Sequence, residues 1–285
     1  MGFFPELWAD RTLGEMIDEL RTTQRIVNSV MDYTPFTLGQ RATGYNGPKL
    51  TGLTVQALPV TTPDDPSQSA ISFSFDQKKG VVFNLSDIDA AQASVDMLMA
   101  LTKGAVNALL DDYDVFILKA MIAGLNSGSG YKNTISDTTG HKLTRTDFLA
   151  ARKKLNTNKV PTRERYCAIS PEFEADLFDI PDFVSRDKIA DTTAMRDGVI
   201  GRLLGFDVIL ANDMPKVKND WSITAGTLPV VLFYGKPAFG FGRQKEFESK
   251  SSPDAKIPGD VVNIYTVYGG VVQDNTYLIG FRRDV

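Results

Sequence analysis

The chain has 285 residues, room for one large or two modest domains, and its 42% hydrophobic and 23% charged content is that of a folded protein. Lys and Arg number 31 against 35 Asp and Glu, a formal net charge of -4, which argues against a broad basic face for gripping nucleic acid. Cys167 and His141 are the single residues of their kinds, so one chain cannot build a disulfide framework or a Cys/His metal cluster.

Met1 to Asp10 lacks a basic segment ahead of a long apolar core, and no apolar run approaches the roughly 20 residues that cross a bilayer. A soluble, unexported protein with no membrane partner is expected. Residues 1–35 read as a partner-dependent arm. Phe3, Phe4, Leu7 and Trp8 lie at its start with little chain around them for burial, and Thr12 to Val30 has helical spacing through Leu13, Ile17 and Leu20. Residues 36–70 are rich in Gly, Thr and Pro, and so long a stretch with so little apolar content reads as a functional projection or as disorder. Within it the Asn46-Gly47 pair suits a hairpin turn.

Ile71, Phe73 and Phe75 alternate with polar residues, and Val81 to Leu85 returns after Gln77 to Gly80, which predicts an antiparallel hairpin. A long helix is expected over 86–123. Ser86 and Asp89 form its capping box, apolar residues recur at three and four from Ile88 to Ala120, and Gly124 supplies the C-cap. At 1.5 Å per residue such a rod is about 55 Å long. Gly104 in its middle marks a close contact or a bend.

Thr144 and Asp147, with Leu143 ahead of them, start a second helix to about Leu155. Tyr166 to Ile169 reads as a buried strand, and Ser170-Pro171 opens a helix that stops before Pro181. Further strands are expected at Val199-Ile200, Phe206 to Leu210, Val230 to Tyr234, Val261 to Val272 and Tyr277 to Ile279. The order predicts an α+β chain in two interleaved parts.

Catalytic groupings are sparse. His141 reads as a loop residue without a specified acid or nucleophile, and Cys167 as a small buried hydrophobe. Asp111, Asp112 and Asp114 form an acidic cluster on the long helix. Neighbours on a helix diverge by about 100°, so a solvated face is favoured over a subunit contact or a metal site. Gly198, Gly201 and Gly205 lead into a strand and not a helix, unlike a dinucleotide-binding loop. Asn84-Leu85-Ser86 matches a glycosylation sequon that should be inert in an unexported protein.

Two long segments carry a resemblance. Residues 76–92, Asp76 through Gln92, resemble the lead-in to the long helix of the major capsid proteins of tailed bacteriophages. Residues 160–173, from Val160 to Phe173, followed by 198–212, from Gly198 to Asn212, resemble the central domain of the same family. The resemblance implies the capsid fold shared by tailed phages and herpesviruses. It implies an N-terminal arm over 1–35, an extended loop over 36–75, and a peripheral domain over 76–159 with its spine helix. A mainly axial domain then spans 160–258, with Lys236 to Lys245 near its tip, and returning peripheral strands span 259–285. Subunit contacts are then expected at Phe3, Phe4, Trp8, Tyr45, Asn46, Lys49, Leu53, Lys236 and Phe239.

The implied role is not enzymatic and needs no cofactor, catalytic residue or metal. Pentamers and hexamers of the chain would close an icosahedral head, assembled in the host cytoplasm, around double-stranded DNA held without sequence-specific binding. Implied partners are a portal at one vertex and a separate scaffolding protein, since no charged helical extension precedes the arm. A decoration protein is an optional further partner. An encapsulin-like compartment subunit is the nearest alternative. A metal-dependent hydrolase around the three aspartates is more distant, as is a receptor-binding module.

Overall fold

The computed structural model describes residues 25–38, 44–51, 67–86, 95–125, 134–137, 142–180, 199–253 and 259–283. Phe3, Phe4, Trp8, Leu53 and His141 lie outside them. The strands are β1 (Met31–Asp32), β2 (Gly44–Thr51), β3 (Ser67–Ser74), β4 (Gln77–Ser86), β5 (Thr134–Asp137), β6 (Arg165–Ile169), β7 (Val199–Leu203), β8 (Phe206–Leu210), β9 (Val230–Gly235), β10 (Phe239–Pro253), β11 (Gly259–Val272) and β12 (Leu278–Arg283). The helices are α1 (Thr34–Thr37), α2 (Val95–Leu125), α3 (Arg145–Thr157) and α4 (Glu174–Phe178).

A mixed six-stranded sheet, in the order β5-β12-β9-β6-β8-β7, is buried on both faces. That is why β9 reads as the unbroken apolar run Val-Val-Leu-Phe-Tyr. Successive side chains go to opposite sides. Val230, Leu232 and Tyr234 meet α2 with Ala168, Ile209 and Leu278. Val231 and Phe233 meet Phe148, Ala151 and Leu155 of α3, and Phe173 and Leu177, from the other side.

Helix α2 has a second neighbour, a four-stranded sheet in the order β1-β10-β11-β4. Val106, Leu109, Tyr113, Ile117 and Met121 share one core with Phe239, Phe241, Ile264 and Tyr268 of that sheet. Serving two sheets requires a wide apolar stripe, which explains the buried pairs Ala105-Val106, Leu109-Leu110, Ile117-Leu118 and Met121-Ile122. The 31 described residues of the helix make a rod of about 46 Å. Ser86 closes β4 opposite Gly259, and the Ser86–Asp89 capping box runs into undescribed residues.

Local signals worked best where chain neighbours supply the partner. Thr144 caps α3, its side chain and backbone both bound to Asp147, and Leu143 and Phe148 are buried together as the flanking hydrophobic staple. Strands β7 and β8 are joined by Leu204 and Gly205 at φ of 50° and 91°, a two-residue turn that needs positive φ at both positions.

Five expectations change. β3 does not return on β4; it pairs with β2, and β4 pairs with β11. Period-two burial names a buried face but no partner, so the same alternation fits either pairing. Asn46 and Gly47 lie inside β2, opposite Ser72 and Ile71, and form no turn. Gly124 is helical, and a Cβ there would sit 2.8 Å from Val272 Cγ2, so this glycine permits close approach of α2 to β11 instead of capping the helix. Gly104 has open space around it, which removes the close-contact reading. Residues 25–30, placed in a long arm helix by their spacing, form one 3-10 turn at Ile26–Ser29 after an extended Arg25.

Sheet membership also cuts across the boundaries drawn from the sequence. β10 belongs to the four-stranded sheet, whereas β5 and β12 join the six-stranded one, where α3 also packs. Residues 239–245 therefore lie in a strand between β1 and β11 and not at a tip.

Candidate assembly surfaces

Residues 25–38 are fastened to α2 and β10 by polar contacts. The Arg25 guanidinium reaches Asp111 at 2.5 Å and Asp114 at 3.8 Å, and the Val27 amide donates to Asp114 at 3.0 Å. Ile26 and Val30 are buried, and Ser29 and Tyr234 share a hydrogen bond of 2.6 Å between hydroxyls. Further on, the Tyr33 amide donates to the Phe241 carbonyl at 2.7 Å, and Thr37 Oγ1 to the Arg243 carbonyl at 2.8 Å. Burial raises the Asp114 carboxyl to about 7; the Val27 amide and Arg25 oppose that rise, and Asp111 and Asp213 add to it.

The base of the two-stranded β2–β3 sheet is held by aromatic rings. Tyr45 lies 4.9 Å from Tyr33 and 5.4 Å from Phe73, and Phe73 meets Phe75 edge-on at 5.6 Å. Glycine makes this crossing possible. A Cβ at Gly269 would lie 2.1 Å from the Ser74 carbonyl oxygen, and one at Gly242 would lie 3.0 Å from Phe73 Cζ. Residues 25–38 and the β2–β3 pair thus meet through Tyr33, and both are seated on the four-stranded sheet.

Beside these buried contacts, Phe36 is 62% exposed, and Leu38 and Met31 are also open. Val82 on β4, Leu149 on α3 and Phe178 at the end of α4 are exposed large apolar side chains elsewhere. Among the described residues β4 is the outer strand of its sheet and pairs with β11 alone. Scattered single residues are ordinary, but an open ring beside a pinned terminus is what a neighbouring subunit could cover.

The described members of the candidate chemical groupings make structural contacts. Asp111 and Asp114 bind the arm, while Asp112 accepts from the Tyr268 hydroxyl and lies 3.8 Å from Lys79 Nζ. Asp111 and Asp114 share Arg25 while Asp112 turns to other partners, and among the described residues no three His, Cys, Asp or Glu side chains are grouped to hold a metal. Cys167 is fully buried, and burial holds its thiol well above the usual range, so it lacks the thiolate character of a nucleophile. Tyr113, whose hydroxyl shares a short hydrogen bond with Thr266, is pushed up to about 12 by burial. No described helix is long and apolar enough to cross a membrane.

With two sheets, a spine helix between them, a docked arm root and a loop base, the architecture can be compared with known proteins. The family model described as phage capsid protein matches residues 70–279. The chain belongs to the phage capsid protein family. Solved structures agree on the fold. A structure from Mycobacterium phage Che8 superposes with a TM-score of 0.65 at 22% identity, covering 91% of this chain and 92% of that one. The capsid of cyanophage P-SCSP1u gives 0.68 at 18%, covering 92% and 89%. A virus-like particle from Pyrococcus furiosus gives 0.58 at 8%, covering 95% and 98%. No curated protein sequence matches. The α+β tailed-phage capsid fold expected from residues 76–92, 160–173 and 198–212 is the fold observed.

Within this capsid protein the predicted contact residues separate. Asn46 and Lys49 lie in β2, opposite Ser72 and Ser69, on the projecting sheet. Tyr45 is half-buried against its own subunit's rings. Lys236 pairs with Glu164 at 3.1 Å at the junction where β9 leaves one sheet and β10 enters the other. Phe239 is overturned as a contact, because its ring is fully buried in the core beside Phe116. Sequence reasoning passed over Phe36. Its signal was the Thr34-Pro35 start of a short helix that carries Phe36.

Proposed function

We propose that this capsid protein is the major shell subunit of a tailed-phage head, forming pentamers and hexamers that close an icosahedral shell around double-stranded DNA. The peripheral part is α2 with the four-stranded sheet, and the axial part is the six-stranded sheet with α3 and α4. Residues upstream of the pinned Arg25 form the arm, with Phe3, Phe4 and Trp8 as its anchors. The β2–β3 projection, carrying Asn46, Lys49 and Leu53, reaches the next subunit. A separate scaffolding protein and a portal are the expected partners, a decoration protein an optional one, with assembly in the host cytoplasm. DNA is enclosed without base recognition, consistent with the net charge of -4.

The observation that carries this reading is the pairing of a firmly rooted arm and loop with an exposed Phe36 beside them. Such parts gain little as a monomer's decoration, but repeated in a closed assembly each modest contact is reinforced by the others. The test follows from the register of β2 and β3, in which Thr51 faces Ser67. Replacing residues 52–66 by Asn-Gly would close that hairpin with a two-residue turn and remove the tip. Electron microscopy of the purified wild-type product should show uniform icosahedral particles, and the shortened chain should stay folded without closing shells. Normal shells from the shortened chain would remove the loop from assembly. Particles filled with protein and never with nucleic acid would favour a compartment subunit.

A further inference from the structure

We propose that the face of the four-stranded sheet turned away from α2 receives the phosphate backbone of duplex DNA. This rests on the reading of a DNA-enclosing shell and adds which surface of the subunit meets the duplex. Pairing of β10, β11 and β4 sets their outward side chains in rows. Lys245 and Lys78 flank Val267 in one row, Glu248 and Gly80 flank Tyr265 in the next, and Lys250 and Val82 flank Asn263 in the third. The alternate β11 residues Val262, Ile264 and Tyr268 are buried in the core that contains α2, whereas Lys78, Lys245 and Lys250 are exposed. One end of the outward face is covered by its own chain, since Gly269 meets Ser74, and Gly242 meets Phe73 and Thr37. The three lysines occupy the end that stays open.

Glu248 is the one carboxylate in these rows. It pairs with Lys245 Nζ at 2.9 Å and accepts from the Tyr265 hydroxyl. Lys78 and Lys250 have no carboxylate partner among the described residues. Lys245 and Lys250 lie 5.6 and 5.7 Å from the centre of the Tyr265 ring, which holds both ammonium groups beside it. One carboxylate is therefore set against three ammonium groups, and the face is locally positive on a chain of net charge -4.

Spacing favours a duplex over an acidic peptide. Two strand spacings put the backbones of Lys245 and Lys78 about 10 Å apart, and four residues of β11 put the Lys250 row about 13 Å away. The major groove is about 12 Å wide, so side chains from the two rows reach phosphates on both its edges. An extended peptide carries its charges along one line and cannot match this triangle. Because Tyr265 is occupied by the lysines and Glu248, its ring is not offered to bases, and the contact reads backbone without sequence. Each subunit contributes few contacts, and their repetition over a shell supplies the strength.

The test is binding of the purified full chain to a short fluorescent duplex between 50 and 200 mM salt. Lys78→Gln/Lys250→Gln should lower the slope of log affinity against log salt by about 1.8, so that wild type loses roughly tenfold more affinity over that range than the variant. Glu248→Gln should release Lys245 and steepen the slope by about 0.9. Arg152→Gln/Lys153→Gln removes two exposed cations from α3 and should leave the slope unchanged. Absence of duplex binding at 50 mM salt, an unchanged slope in either sheet variant, or an equal drop in the α3 variant would overturn the proposal. Retention of polyglutamate in preference to duplex would also overturn it and assign the face to an acidic protein segment. Microscopy separates this from the shell reading, because particles that hold DNA while the sheet variants bind like wild type remove the face alone, and particles that hold only protein remove the enclosed DNA.

Discussion

The two sheets of this capsid protein treat their faces differently. The six-stranded sheet is covered by α2 on one side and by α3 and α4 on the other, and its central strands β6 and β9 are buried almost throughout. The four-stranded sheet shares α2 on one face, while its other features carry the arm root, the loop base and an outer strand with exposed Val82. One sheet therefore completes its burial within the chain, and the other lies beside the exposed Met31, Phe36, Leu38 and Val82. A mutation should separate stability from assembly according to which region it strikes.

The largest stability effect is expected in the doubly covered sheet. Phe233 is fully buried, 5.1 Å from Phe148 and 5.3 Å from Phe206 in edge-on geometry. Phe233→Ala should destabilise the subunit by about 3–5 kcal/mol, measured by denaturant unfolding of the isolated chain. A loss below about 1 kcal/mol would mean that α3 can collapse onto the sheet, and would break the contrast between the regions.

Gly269→Ala should act between the extremes. Its added methyl would meet the Ser74 carbonyl, backbone that cannot rotate away, so β3 must shift from β11. The expected cost is about 1–3 kcal/mol, with faster hydrogen exchange confined to β3 and residues 31–38. Equal loosening of β6 and β9 would show that the two sheets unfold as one unit.

The contrast also explains what could be read from the sequence. The six-stranded sheet was legible because burial on two sides leaves apolar runs, as in β8 and β9, and the α3 cap was legible because Thr144 and Asp147 are three residues apart. The arm and loop needed long-range information. β3 shows the same alternation whether it pairs with β4 or β2, and the choice was made by Phe73 and Phe75 meeting Tyr33, Tyr45 and the backbone near Gly269. The Asp111–Asp112–Asp114 cluster looked like a solvated face because its partners Arg25, Val27 and Tyr268 lie roughly 85 to 155 residues away in sequence, separations that no local pattern encodes. Phe239 was misplaced for the opposite reason. The resemblance put Lys236 to Lys245 near a tip, but Phe239 lies in β10 with its ring turned into the core.

Phe36 gives the smallest stability effect and the sharpest discrimination. Its ring is mostly in solvent on α1, next to Thr34 and Thr37, which bind Arg243 of β10 through their hydroxyls. Phe36→Ser removes that ring and leaves these hydrogen bonds in place, so unfolding free energy should change by no more than about 0.5 kcal/mol. If a neighbouring subunit covers the ring, the same substitution should greatly reduce closed particles in sedimentation and electron microscopy. Full assembly of the variant would take Phe36 out of the interface. Destabilisation on the scale of Phe233→Ala would place the ring in its own subunit's core, and the four-stranded sheet would then be as self-contained as the six-stranded one.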